Sequence, residues 1–313
     1  MQSDYRAKAL AFFNQLCYDN RNLIRKETHM KKLFRLLSAI IAVLVLIVVY
    51  LMWKYTDNTS LQTTLYTVSN EKIPSEFNGF RIAQVADLHN AKFGENNEAL
   101  LAALQESDPD IIVFTGDQID ARKPDPNVLT ELVKQAVQIA PCYLVSGNHE
   151  GSVPRNVQLE TEIESYGVVI LDDEIQTLEC DGASIELIGL EDATRNKRYY
   201  SHGAKTALEM SLQELEWNED HFSILLAHRP EYFYVYERNG IDLAICGHVH
   251  GGQIRIRDRG LIGPGKELFP EYDCGVYTID EATMVLSRGL GNSIFPWRIN
   301  NPPELVIIEL EAK

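Results

Sequence analysis

An α/β domain behind a single membrane-spanning helix is the fold class that the sequence predicts, on three observations. An uncharged run of 18 residues, 36–53, stands near the N-terminus. Beyond it, apolar runs alternate with amphipathic ones, the pattern of strands and helices in turn. Five of those apolar runs each end on a polar residue able to hold a metal ion.

The run at 36–53 is rich in Leu, Ile and Val, and no polar face interrupts it. As a helix it is about 27 Å long, close to the roughly 30 Å of a bilayer core. Lys31, Lys32 and Arg35 precede it, with Arg21, Arg25 and Lys26 further upstream, while Lys54 stands almost alone behind it. The excess of positive charge before the helix predicts a basic cytoplasmic segment over 1–35, a cell-membrane span at 36–53 and a linker at 54–64. The domain at 65–313 is then extracytoplasmic. No small-x-small cleavage site follows the run, which favours an uncleaved anchor over a signal peptide. Met30-Lys31-Lys32-Leu33-Phe34-Arg35 is itself a compact basic lead into the run, so Met30 is an expected alternative start to Met1.

Charge narrows the partners. The chain carries 29 Lys/Arg and 45 Asp/Glu, of which residues 1–54 hold nine and three. The remainder therefore has 20 basic and 42 acidic side chains. Such a surface repels a polynucleotide backbone, whose binding depends on Lys and Arg neutralising phosphates, so nucleic acid is not the expected partner. Of the five cysteines, Cys142 and Cys246 fall inside apolar runs and read as small buried residues. Cys17, Cys180 and Cys274 form no C-x-x-C pair with them, and neither a disulfide framework nor a cysteine metal site is expected.

The strands come next, in order. Residues 80–86 lead into Asp87-Leu88-His89, 111–115 into Gly116-Asp117, and 143–146 into Gly147-Asn148-His149-Glu150. Residues 224–227 lead into His228, and 243–246 into Gly247-His248-Val249-His250-Gly251-Gly252. Helices are expected between them, at 97–106 and 128–139. In open α/β sheets a ligand site lies beyond the carboxyl ends of the strands, so these residues converge on one edge. Five of the eight histidines stand in these loops, beside Asp and Asn. That donor set suits two divalent ions, with Mn, Zn, Fe and Mg as the candidates and a carboxylate such as Asp117 bridging them. Two such ions with two aspartates and a hydroxide leave a net positive centre. That centre attracts an anion such as phosphate and acidifies a bridging water to a pKa of about 7.

The series D-x-H, G-D-x-x-D, G-N-H-E, a lone His and G-H-x-H resembles the calcineurin-like metallophosphoesterase superfamily, over residue 65 to the C-terminus. G-H-x-H-G-G-Q, the stretch from Gly263 to Tyr272 and S-R-G-L-G-N-S resemble its membrane-anchored bacterial YkuE/YaeI-like branch. The resemblance implies a two-sheet β-sandwich flanked by helices, with the strand-rich tail after Gln253 in the second sheet. It implies Asp87, His89 and His250 on a first metal, Asp117 bridging, and Asn148, His228 and His248 on a second. It makes His149 the general acid or transition-state stabiliser. Glu150 stands where much of the superfamily has Asp, and the longer side chain is expected to alter modestly how His149 is oriented.

The implied function is hydrolysis of a phosphomonoester or phosphodiester by a hydroxide activated at a dinuclear metal centre. Apolar residues at 261–269 and 290–297, Ile294, Phe295 and Trp297 among them, suggest a lip for an acyl chain and hence a lipid or envelope substrate. Two rival readings are a lipid-sugar pyrophosphatase of the UDP-2,3-diacylglucosamine type and a membrane-tethered metal-binding scaffold without catalysis. The first requires a cytoplasmic domain, against the charge asymmetry. The second calls for a closed four-ligand site rather than seven ligands sharing one aspartate.

Overall fold

The computed structural model describes residues 13, 15, 29–51, 60–154, 157–195, 203–293 and 295–313. The chain falls into two units, Met1–Tyr55 and Thr56–Lys313. In the first, one helix, α1 (His29–Leu51), has 23 residues and buries none of its apolar stretch. At about 34 Å it is long enough to cross a membrane. It starts earlier than the apolar run because Lys31, Lys32 and Arg35 are good helix formers and extend it N-terminally. Cys17, Arg21, Arg25, Lys26, Trp53 and Lys54 lie outside the described residues, as does most of the expected linker.

The second unit begins with β1 (Gln62–Asn70), which starts inside the stretch expected as linker. There follow β2 (Arg81–Val85), α2 (Glu98–Ser107), β3 (Ile111–Thr115), α3 (Pro126–Ala136), β4 (Cys142–Val145), α4 (Asn148–Ser152), α5 (Val157–Ser165), β5 (Val169–Ile170), β6 (Glu174–Cys180) and β7 (Ala183–Gly189). The chain continues through α6 (Ala204–Glu214), β8 (Ser223–Leu226), α7 (Phe233–Arg238), β9 (Leu243–Cys246), β10 (Arg255–Ile256), β11 (Arg259–Gly260), β12 (Gly275–Ile279), β13 (Ala282–Leu286) and β14 (Glu304–Ala312). Both expected inter-strand helices are present. α3 opens with Pro126 in its first turn, where the missing N–H costs nothing.

Two six-stranded sheets face each other, in the orders β1-β14-β2-β3-β4-β5 and β12-β13-β9-β8-β7-β6. Strands covered on both faces read as unbroken apolar runs. On β3, Ile111 and Val113 point between the sheets, while Ile112 and Phe114 point to the layer shared with α2, α3 and α5. On β9, Leu243 and Ile245 face the first sheet, while Ala244 and Cys246 pack with α6 and α7. Cys142 on β4 and Cys246 are buried, as expected of small core residues. The fold is therefore a mixed α/β arrangement of two main sheets flanked by helices.

The tail after Gln253 departs from expectation in part: β10 and β11 pair only with each other as a separate two-stranded sheet. Of the tail strands, β12 and β13 join the second sheet, but β14 returns to the first and pairs with both β1 and β2. Its sequence explains the move. Val306 and Ile308 enter the inter-sheet core while Leu305 and Ile307 face the helices, the double-sided burial of a central strand. β2, β3 and β4 are mutually parallel, as are β7, β8 and β9. Their carboxyl ends thus lie along one edge.

Candidate metal centre

The loops after β2, β3, β4, β8 and β9 meet at that edge and are tied to one another through the backbone. Asp87 N–H donates to Gly116 C=O at 3.1 Å, and Gly247 N–H to His228 C=O at 3.1 Å. Gly116 adopts φ 84°, and a Cβ there would sit 2.6 Å from Nδ1 of His228, so only glycine fits between them. Asp87, His89, Asp117, His248 and His250 all adopt positive φ. Each of these side chains is aimed by a backbone conformation that non-glycine residues avoid, a strain tolerated where function requires it.

Three groups of ligand-competent atoms result. Those of Asp87, His89 and His250 lie within 4.8 Å of one another, as do those of His89, Asp117 and His149, and those of Asp117, His228 and His248. Oδ2 of Asp117 stands between them, 3.6 Å from Nε2 of His89 and 3.2 Å from Nε2 of His228. Asn148 joins through Oδ1, 3.1 Å from the same His228 nitrogen. The seven candidate metal ligands and His149 are therefore all in this cluster.

The spacings suit cations. Donors about 2.1 Å from a common ion stand about 3.0 Å apart at a right angle and about 3.4 Å apart at the tetrahedral angle. The observed separations include 3.1 Å for His89 Nε2 to His250 Nε2, 3.0 Å for His248 Nδ1 to His228 Nε2 and 3.5 Å for His250 Nε2 to Asp87 Oδ1. His228 makes the case sharpest. Its Nδ1 faces the Thr115 carbonyl at 2.9 Å and so carries the proton in the neutral ring. Its Nε2 lone pair then meets two oxygen acceptors, Asn148 Oδ1 and Asp117 Oδ2, with His248 Nδ1 3.0 Å away, a convergence of acceptors that calls for a cation or a proton at the centre.

Electrostatics agree. Burial pushes His89 down to about 3 and holds His248 and His250 well below the usual imidazole range, keeping their lone pairs free. His228 goes the other way. Burial pushes it down, but the charge and hydrogen bond of Asp117 outweigh that and raise it to about 10. Asp117, buried but surrounded by His228, His89 and His149, is held well below the carboxylate range. Burial raises Asp87 to about 7. Without metal, a proton on His228 takes the place of a cation.

The surrounding shell fixes these groups. Both oxygens of Asp87 accept from His248 N–H, at 3.0 and 2.9 Å. Nδ1 of His250 donates to Gly291 C=O at 3.2 Å, and the same carbonyl accepts from the fully buried guanidinium of Arg298, which also donates to Arg288 C=O. Gly291 packs so closely that a Cβ would stand 2.1 Å from the carbonyl oxygen of Leu88.

Glu150 corrects an expectation. Its carboxylate is bonded not to His149 but to the backbone N–H groups of Asp117, Gly147 and Ile119, at 2.9, 2.8 and 2.9 Å. The extra methylene lets it clamp the loop that carries Asp117. His149 is oriented instead by Ala121 N–H, which donates to Nδ1 at 2.9 Å, with Asp120 Oδ1 3.8 Å from the same nitrogen. Asp120 went unassigned in the sequence although G-D-x-x-D marks it. Gln253 closes the motif G-H-x-H-G-G-Q without being given a role there, and Arg298 carried no signal of its own.

A cleft of about 250 Å³ opens over the cluster, reaching Asp117, Asn148, His149, His248 and His250 and walled by Ile262, Pro264 and Phe295. Of the expected lip, Leu290 is buried, Leu268, Phe269 and Trp297 are exposed, and Ile294 lies outside the described residues. Phe295 and Trp297 meet edge to face at 5.5 Å.

A family model described as calcineurin-like phosphoesterase matches residues 80–252. Over 268 residues the chain is 28% identical to YkuE, a metallophosphoesterase of Bacillus subtilis (strain 168), covering 83% of this chain and 88% of that protein. It is 26% identical over 241 residues to the phosphodiesterase YaeI of Escherichia coli (strain K12), covering 74% and 82%. A Danio rerio transmembrane protein with a metallophosphoesterase domain is 26% identical over 258 residues, covering 77% of this chain and 55% of that protein.

Proposed function

The chain belongs to the calcineurin-like phosphoesterase family, and from that premise we propose how its residues share the reaction. It is a hydrolase of phosphoester bonds, in a family that uses dinuclear divalent metal centres. On our reading Asp87, His89 and His250 hold one ion, Asn148, His228 and His248 the other, and Asp117 both. Bound ions supply Lewis acidity and a water acidified towards a pKa of about 7. The rest falls to the protein. Glu150 holds the Asp117 loop through three backbone N–H groups. Ala121 holds Nδ1 of His149 as an acceptor, so the proton of the neutral ring is on Nε2, 4.0 Å from Asp117 Oδ2. From there His149 donates it to the departing oxygen of a phosphomonoester or phosphodiester.

The convergence of acceptors on Nε2 of His228 carries this reading. It is tested on the full chain in detergent, reconstituted with Mn²⁺, Zn²⁺, Fe²⁺ or Mg²⁺ and screened against phosphoesters while bound metal is counted. Two ions per chain are expected, falling to one in Asn148→Ala. Full activity with no more than adventitious metal would overturn the assignment.

For the substrate we propose a phosphate group of a lipid or lipid-linked envelope molecule, cleaved outside the cytoplasmic membrane. A helix able to span a bilayer, basic residues ahead of it, Ile262 and Phe295 in the cleft wall, and the exposed Trp297 that meets Phe295 edge to face support this choice.

A further inference from the structure

The metal cluster opens into two cavities. Asn148, His248, Val249 and Pro264 line both the cleft of about 250 Å³ and an adjoining cavity of about 610 Å³. A phosphate held at Asn148 and His248 therefore has room for two ester arms. The linings differ. Ile262, Pro264 and Phe295 wall the smaller cleft, and the exposed Trp297, packed edge to face on Phe295, extends that apolar surface outward. Ser152, Thr194, Arg229 and Glu231 bring hydroxyl and charged groups to the larger cavity. They are reachable: Ser152 is exposed, and the Glu231 and Arg229 side chains are 42% and 14% exposed. Arg229 is already paired with Asp192 at 2.6 Å, so Glu231, Glu267 and Glu271 set the charge of this space and disfavour an anionic occupant. The larger volume lies within the roughly 300–1,000 Å³ that encloses a drug-sized ligand and takes a head group of sugar size. The smaller takes only the first carbons of an apolar arm, whose remainder lies along Phe295 and Trp297.

The two arms have different fates, because the leaving oxygen must meet the proton donor. His149 lines the smaller cleft and not the larger. Its side chain is 13% exposed, and Nε2 carries the proton once Ala121 N–H occupies Nδ1. We propose that the substrate is a mixed phosphodiester, with an apolar alcohol in the smaller cleft and a polar, non-anionic alcohol in the larger, and that the bond from phosphorus to the apolar alcohol is the one broken. The oxygen of water forms the new bond to phosphorus. The P–O bond to the apolar arm breaks, and that oxygen leaves with the electron pair and takes the proton from His149 Nε2. The proton that water loses replaces the one His149 gave. The products are a free apolar alcohol and the phosphomonoester of the polar one. This rests on the phosphoesterase reading of the site, with His149 as its acid, and names the substrate and the bond.

The test gives the metal-loaded full chain hexyl glyceryl phosphate, which has one arm of each kind, in isotopically labelled water. Hexanol and labelled glycerol phosphate should exceed glycerol and hexyl phosphate about tenfold or more, because the general acid reaches only one of the two oxygens. Glycerol is the better leaving group in solution, since its neighbouring hydroxyl acidifies it, so unaided chemistry favours the opposite bond. Glycerol with labelled hexyl phosphate, or equal amounts of both product pairs, overturns the proposal. So does failure to cleave this diester by a preparation that hydrolyses bis-p-nitrophenyl phosphate. A second measurement reads binding alone, by calorimetry. Glu271→Trp, an exposed position on the larger cavity, should weaken glycerol phosphate about tenfold and hexyl phosphate less than about twofold. Equal changes for the two overturn the assignment of the arms. If wild-type hydrolysis of bis-p-nitrophenyl phosphate is not metal-dependent, the phosphoesterase reading itself falls, an outcome distinct from the wrong pair of products.

Discussion

Ala121 donates its backbone N–H to Nδ1 of His149 at 2.9 Å, and this one bond sets which nitrogen of the ring can give up a proton. With Nδ1 an acceptor, Nε2 carries the hydrogen and faces the cleft on the Asp117 side. His149 also belongs by distance to a group with His89 and Asp117, so a ligand role has to be separated from an acid role by experiment.

His149→Ala should keep both metals and lose on the order of 10²–10⁴-fold in rate, the scale of general acid catalysis. The loss should shrink for leaving groups that need no proton, such as p-nitrophenolate. An equal loss across leaving groups would make the role electrostatic, and a fall in metal content would make His149 a ligand.

Glu150 gives a different signature. Removing its carboxylate strands three backbone donors in the loop of the bridging aspartate. At about 1–3 kcal/mol for each buried donor left unsatisfied, Glu150→Ala should lower the melting temperature by well over 5 °C and reduce bound metal together. A variant with normal melting and full metal content would show the clamp to be dispensable.

Metal binding should release protons at neutral pH. The sign follows from the metal-free site. His228, whose burial is outweighed by Asp117, is raised to about 10 and must lose its proton to bind, so apparent affinity rises about tenfold per pH unit up to that point. Asp87, raised by burial to about 7, adds a second proton below that pH and steepens the slope. Four ordinary imidazoles would instead give an affinity that falls only below about pH 6. Mn²⁺ titrations between pH 6 and 9 decide: a plateau above pH 7 would contradict the pairing of His228 with Asp117.

Much of this site was legible from residue type and spacing. β3 and β9 announce themselves because strands buried on both faces must be apolar throughout, and the ligands follow because loops at strand ends carry the polar residues. The rest depends on contacts that spacing does not encode. Glu150 sits in a motif that points to His149, yet its reach takes it to the Asp117 loop. Arg298 reads as a surface charge until the fold buries it behind His250. β14 is separated by most of the domain from the strands it joins, and neither its partners nor its place between β1 and β2 is written locally. The positive φ of Asp87, His89 and His250 is likewise imposed by the assembled loops.

Phe295 and the exposed Trp297 provide the test of the proposed lipid substrate. Phe295→Ala/Trp297→Ala should leave hydrolysis of a soluble phosphodiester nearly unchanged while lowering turnover of a phospholipid or undecaprenyl phosphate in micelles about tenfold or more. Equal loss on both substrates, with a lower melting temperature, would assign the pair to packing.

The central claim, that a metal centre bridged by Asp117 cleaves phosphoesters, is tested most directly by chelation. Bis-p-nitrophenyl phosphate hydrolysis by the full chain should vanish when the metal is stripped, return with Mn²⁺, and fall on the order of 10³-fold or more in Asp117→Ala. A rate that survives chelation unchanged would contradict it.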